Sequence, residues 1–331
     1  MMDFVVSIVT ITIIYSIIAL ALNIRYGYAG LPDFGIAGFV LVGAYVTAIF
    51  TAPDQALDVT GAQSLVGRFN WPILTGILAA VIISAVLSAF VALLTLRIRD
   101  DYFAVITIGI AEIFRWVAIN EHYISRGPQG IKDIPFMLAN YSPGFYRYIY
   151  PIILLVVLTL LYFICRRIYV SGFGRALRGI REEEDVVRSL GRNPFLFKFK
   201  GYVLGGAIAG LGGSLWAHFI GSIQPHDFTP ELTFILWASI IIGGKGNNAG
   251  VILGTVLVIG LFEQATRFLP SISNHPQALP AIRMICIGLL LLLTLRFKPR
   301  GLLPEKTILL GDDNKLSFEK HAEHIGNKRA V

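Results

Sequence analysis

The sequence predicts an all-α integral membrane protein, a polytopic helical bundle of about nine spans within a range of eight to ten. Composition is the first reason. The 331 residues are 55% hydrophobic and only 15% charged, with mean hydropathy +0.68, whereas soluble domains carry about 25% charged residues. Run length is the second: several apolar stretches reach about 20 residues, enough to cross a hydrocarbon core as helices that satisfy their own backbone hydrogen bonds. The alternation expected of a membrane β-barrel is not seen in these runs.

Taken in order, the first span covers 4–23. It lacks a basic leader and a small-residue cleavage site, so it reads as a retained helix rather than a signal peptide. The run at 34–52 follows Gly27, Gly30 and Pro32, and suits either a full span or a broken, re-entrant segment. Spans follow at 71–96 and 102–120. In the latter, Glu112 and Arg115 lie one turn apart on the same face and read as an intramembrane ion pair, with contact to cargo as the alternative. The remaining spans are 148–165, 199–222, 232–244, 250–269 and 280–296, of which 232–244 is short and ends in Gly243-Gly244. Cys165 and Cys286 have no metal-type spacing and read as packing or lipid-facing residues. Small residues recur four apart at Gly201/Gly205, Gly206/Gly210, Ala209/Gly213 and Gly250/Gly254. They suit tight helix packing, or helices that flank a conduit and slide.

Basic residues set the orientation, because basic loops stay cytoplasmic during insertion. Placing the loop at 166–200 inside collects Arg25, Arg97, Arg99, Lys245 and the tail from Arg296 onward on the same side, 21 of the 28 basic residues. The net charge of +7 is therefore a topological signal, not a nucleic-acid footprint, and the N-terminus is predicted outside. Asp33, at the mouth of the second span between Gly30 and Gly35, is the candidate for a polar group facing a cavity, with a simple loop into a helix as the alternative.

The segment GRALRGIREEEDVVRSLG at 174–191 is the densest run of charge in this apolar chain. As a helix it places Leu177, Ile180, Val187 and Leu190 on or near one face and Arg178, Glu182, Asp185 and Arg188 elsewhere. Arg181/Asp185 and Glu184/Arg188 are i,i+4 pairs, and Gly191 with Pro194 stops the helix. An interfacial helix on anionic headgroups would suit the arginines. Four consecutive acids, Glu182 to Asp185, oppose that and favour a protein partner.

Four ordered segments resemble the permease subunits of branched-chain amino-acid ABC importers, of the LivM type, over about 15–304. They are ALNIRYGYAGLPDFGIAGFVLVGAY at 21–45, LRIRDDYFAVITIGIAEIFR at 96–115, the 174–191 segment, and RFKPRGLL at 296–303. The resemblance implies a type II ABC importer permease fold. Residues 1–304 would form the transmembrane domain, with a cytoplasmic coupling loop at 166–198 and a polar cytoplasmic tail at 305–331. It implies that Gly174, Arg175, Leu177, Arg178, Ile180, Arg181, Glu184, Asp185, Val187, Leu190 and Gly191 form a helix that docks into an ATPase. Asp185, Val186, Val187 and Gly191 would match the family's acidic-alanine-alanine-x-x-x-glycine core, from which the two valines depart.

By the same resemblance the chain is a transport subunit and not an enzyme, in the plasma (inner) membrane. Its partners would be two ABC ATPases, a second homologous permease chain, an external solute-binding protein and the bilayer, with no nucleic acid. No cofactor, catalytic residue or metal site is expected on this chain: Gly244-Lys245 is followed by Gly246, so no P-loop is formed, and ATP with Mg would sit on the ATPase. Gly30, Asp33 and Gly35 are the candidate pathway residues, and the loop at 125–135 the candidate contact with the binding protein, with a simple turn on Gly127, Pro128 and Gly130 as the alternative. Branched-chain amino acids are the expected cargo, with urea, short amides or other amino acids as alternatives. An ion-coupled secondary transporter would instead need intramembrane carboxylates such as Glu112 or Glu263. An intramembrane enzyme is disfavoured, because His321, Glu323 and His324 lie in the tail without H-E-x-x-H spacing.

Overall fold

A computed structural model describes residues 2–53, 65–98, 100–137, 143–263 and 278–305. Its elements are α1 (Met2–Leu22), a π-helical turn (Asn23–Tyr28), α2 (Ile36–Thr51), α3 (Ile73–Thr95), α4 (Asp100–Asn120) and α5 (His122–Ser125), then α6 (Pro143–Val170), α7 (Gly172–Glu182) and α8 (Glu184–Ser189). They continue with α9 (Pro194–Ile220), α10 (Pro230–Gly243), α11 (Asn248–Thr255), which runs into a second π-helical stretch (Val256–Glu263), and α12 (Ala278–Phe297). Among the described residues there is no named strand, and the β-type pairing given is an isolated bridge between Ile131 and Ile223.

Among the described residues, five helices are long and apolar enough to cross a membrane: Phe4–Tyr28, Ile73–Thr95, Tyr102–Asn120, Tyr148–Val170 and Pro194–Ile220. Ile36–Thr51, Asn248–Gly260 and Ile285–Thr294 are apolar but shorter. The expected nine full spans are thus not reached by length among the described residues. The segment 34–52 loses its start to an irregular stretch through Gly30 and Pro32 and forms a 16-residue helix, and 232–244 forms one of 14. The run 250–269 lies partly outside the described residues.

The centre of the bundle is α9, which packs against α1, α2 and α3. In α1 and α9, 61% of the most apolar stretch is buried, against 17% in α4, which separates central from peripheral helices. Small residues make the central packing possible: Gly206 and Gly210 meet Ser88 and Ser84 of α3, and Gly213 meets the Val40 backbone of α2. The recurring glycines therefore serve tight packing. Outward, Leu74, Leu78, Ile82, Val86 and Phe90 form one exposed stripe along α3, and Ile152, Val156, Leu160 and Phe163 another along α6. Apolar faces of this extent require lipid or another chain.

Candidate functional site

The 174–191 segment is two helices, not the single helix its periodicity predicts. Ser171 caps α7, its hydroxyl accepting from Gly174 N at 3.3 Å. At Glu183 the backbone turns extended (φ −151°, ψ 101°) and α8 starts afresh. The new helix places Glu184 and Asp185 in its first turn, where the unpaired N–H groups favour negative charge. Gly191 (φ +75°) then ends the segment and Asn193 caps α9.

The apolar residues of this segment divide in two. Leu177, Ile180 and Val187 are buried within the chain, Leu177 lying against Gly201 of α9, whereas Val186 is 56% and Leu190 74% exposed. Leu190 therefore does not share the buried face on which periodicity places it: it is the residue that ends α8, while Val187 within α8 stays buried. Of the two expected charge pairs, Glu184–Arg188 forms at 2.9 Å, and Lys198 also reaches Glu184 at 2.7 Å. Arg181 instead pairs with Glu305 at 2.8 Å and donates to the Gly27 carbonyl. Arg178 stacks on the Tyr169 ring at 4.0 Å, while Arg175 donates to the Val170 carbonyl at 3.0 Å. Glu305, taken from sequence as the first residue of a solvated tail, is held against the bundle. His321, Glu323 and His324 lie outside the described residues.

A second polar constellation sits inside the bundle. Arg25, counted by sequence as a cytoplasmic charge, is fully buried in the π-helical turn and pairs with Asp33. Its guanidinium donates to Ser88 Oγ at 2.8 Å and to the Tyr202 carbonyl at 3.1 Å, between the rings of Phe39 and Tyr202 at 4.3 and 3.8 Å. Asp33 also accepts from Gly35 N at 2.8 Å. Its carboxylate thus faces Arg25 and the Gly35 amide. Gly30 lies against Arg181, and Gly35 against the Thr107 carbonyl of α4. Both therefore face protein atoms. Near the middle of α4, Glu112 and Arg115 make a bidentate, half-buried pair at 2.6–3.1 Å.

A groove of about 360 Å³ runs between α2, α3 and α4, lined by Val42, Tyr45, Val46, Leu87 and Phe114 among others. Sequence reading missed it because its walls are ordinary aliphatic positions on three separate helices. On the 125–135 loop, Ile131 pairs with Ile223, and Pro135 meets buried His218 at 2.8 Å. Cys165 is buried and Cys286 half-buried, both free thiols. Lys245 sits over the Tyr26 ring at 5.7 Å in the α10–α11 turn.

Residues 4–295 match the family described as branched-chain amino acid transport system, permease component. The chain is 32% identical over 326 residues to the high-affinity branched-chain amino acid transport system permease protein LivM of Salmonella typhimurium, covering 90% of this chain and 70% of that protein. It is 31% identical to the protein of the same name in Escherichia coli, with the same coverage. A nucleoside ABC transporter permease protein, NupC of Lactococcus lactis subsp. cremoris, is 24% identical over 251 residues, 70% of this chain and 72% of that protein. No solved structure matches the chain.

Proposed function

The chain belongs to the branched-chain amino acid transport permease family, and from that premise we propose that it lines half of the pathway of an ATP-driven importer of branched-chain amino acids. In this reading a separate ATPase subunit, carrying ATP and Mg, grips the α7–α8 segment. A second, homologous permease chain completes the pathway beneath an external solute-binding protein. The basic-residue bias supports an N-terminus outside and a C-terminus on the cytoplasmic side of the inner membrane.

The observation that carries the reading is the division of apolar residues in α7–α8. Leu177, Ile180 and Val187 anchor the segment to the bundle, and Val186 and Leu190 stand exposed beside Glu183, Asp185 and Arg188. An anchored element offering two apolar side chains ringed by charge is suited to seat in a cleft of another protein and to transmit its movement. The α2–α3–α4 groove supports the pathway role, beside the sequence candidates Gly30, Asp33 and Gly35, which here face protein atoms. Its aliphatic walls suit a branched side chain. Urea and short amides lack the apolar surface to use such walls.

The test replaces both exposed residues, Val186→Asp with Leu190→Asp, in the full complex. Membrane insertion is expected to persist, while ATPase co-purification and uptake fall together. Unchanged co-purification and unchanged uptake would remove the docking role of α8.

A further inference from the structure

We propose that Glu305 is a positioning residue for coupling: it clamps α7 to the π-helical end of α1 and to the α10–α11 turn, so that displacement of α7–α8 moves all three together. The inference rests on the importer reading above and adds to it the route by which force leaves the docking segment.

Both oxygens of the Glu305 carboxylate are engaged. Oε2 accepts from Arg181 at 2.8 Å, and Oε1 accepts from the Tyr169 hydroxyl at 3.1 Å with Arg178 at 3.9 Å. Arg181 also donates to the Gly27 carbonyl, so one side chain of α7 holds both α1 and Glu305. The group is half-buried, with Arg178, Arg181 and Glu305 side chains 13%, 16% and 21% exposed. That distinguishes it from a fully solvated ion pair, whose net effect is small.

Glu305 is itself tied to the α10–α11 turn. Leu302 N and Leu303 N donate to the Ile242 and Gly243 carbonyls at 2.9 and 3.0 Å, and Asn247 Nδ2 donates to the Pro304 carbonyl at 3.2 Å. The turn in turn holds α1: Asn23 accepts from Gly246 N at 3.0 Å and donates to Asn248 at 3.0 Å, while the Tyr28 hydroxyl donates to Asn248 at 2.5 Å. Two glycines leave the room this arrangement needs. A Cβ at Gly30 (φ +74°) would come within 2.7 Å of Arg181 Cγ, and one at Gly246 (φ +83°) within 2.8 Å of the Glu305 carboxyl carbon. A clamp with both oxygens used, and with side-chain-free positions on both flanks, is a joint between elements and not an incidental surface contact.

The experiment compares wild type, Glu305→Gln and Gly246→Ala in the complete transporter, reconstituted with its ATPases, partner permease and binding protein. It measures ATPase co-purification, ATP hydrolysis and leucine uptake per ATP. Glu305→Gln keeps size but removes charge, and Gly246→Ala displaces the carboxylate without removing it. Both are expected to keep ATPase co-purification and hydrolysis while uptake per ATP falls on the order of fivefold. The double variant is expected to be no worse than either single, since both break one joint. Uptake per ATP at the wild-type level in Glu305→Gln overturns the proposal, as does loss of insertion or of ATPase co-purification in both variants, which would make the residue structural. Failure of the importer reading is distinguishable, because it shows in the wild type as uptake that does not depend on ATP.

Discussion

Arg25 is a permanent charge with no exposed surface, at the end of a mostly apolar helix. Its cost is met by Asp33, Ser88, the Tyr202 carbonyl and two aromatic faces, which together join the end of α1 to α2, α3 and α9. Removing one partner of a buried pair leaves the other charge uncompensated, at about 3–5 kcal/mol, whereas replacing both with apolar groups is far less damaging. Asp33→Asn is therefore expected to lower the thermal midpoint of the detergent-solubilised protein sharply, and Arg25→Met with Asp33→Leu to recover much of the loss. Equal midpoints for Asp33→Asn and wild type would contradict this account of the pair. The sequence marks Asp33 as unusual but not its role, because Arg25 lies at the end of an apolar run and is indistinguishable there from a loop charge. Glu112 and Arg115 are easier to read, since a three-residue spacing within one helix fixes their proximity.

Among elements, α7–α8 shows which signals survive into structure. The start of the segment, its stop at Gly191 and the inward face of Leu177 and Ile180 follow from periodicity and turn chemistry. The break at Glu183 does not, because periodicity weighs apolar spacing and ignores what helix N-terminal N–H groups do for Glu184 and Asp185. Nor does periodicity show that Leu190, at the end of α8, stands exposed while Val187 is buried. The α2–α3–α4 groove was not legible at all, since its walls are ordinary aliphatic positions on three separate helices whose packing periodicity does not fix. Val42 and Val46 lie one turn apart on α2 and line it half-buried. Val46→Trp is expected to fill the groove and cut leucine uptake by more than about tenfold while ATPase co-purification is unchanged; wild-type uptake by this variant would show that cargo passes elsewhere.

For the whole molecule, composition alone establishes a helical membrane protein, and the burial pattern adds which helices are central. The span count was less legible: the apolar run 34–52 looks like a span until its irregular start shortens it, and 232–244 is short both in sequence and as a helix. Exposed apolar stripes along α3 and α6 show that the chain is completed by lipid or further protein. The central claim, that this permease works as part of an ATP-driven importer, is tested most directly by leucine uptake into sealed vesicles holding the chain with its ATPases, partner permease and binding protein. Uptake that requires ATP hydrolysis and binding protein, competes with isoleucine and valine but not with urea, and fails on an ion gradient alone is the predicted result. Uptake that persists on a proton or sodium gradient without ATP would contradict it.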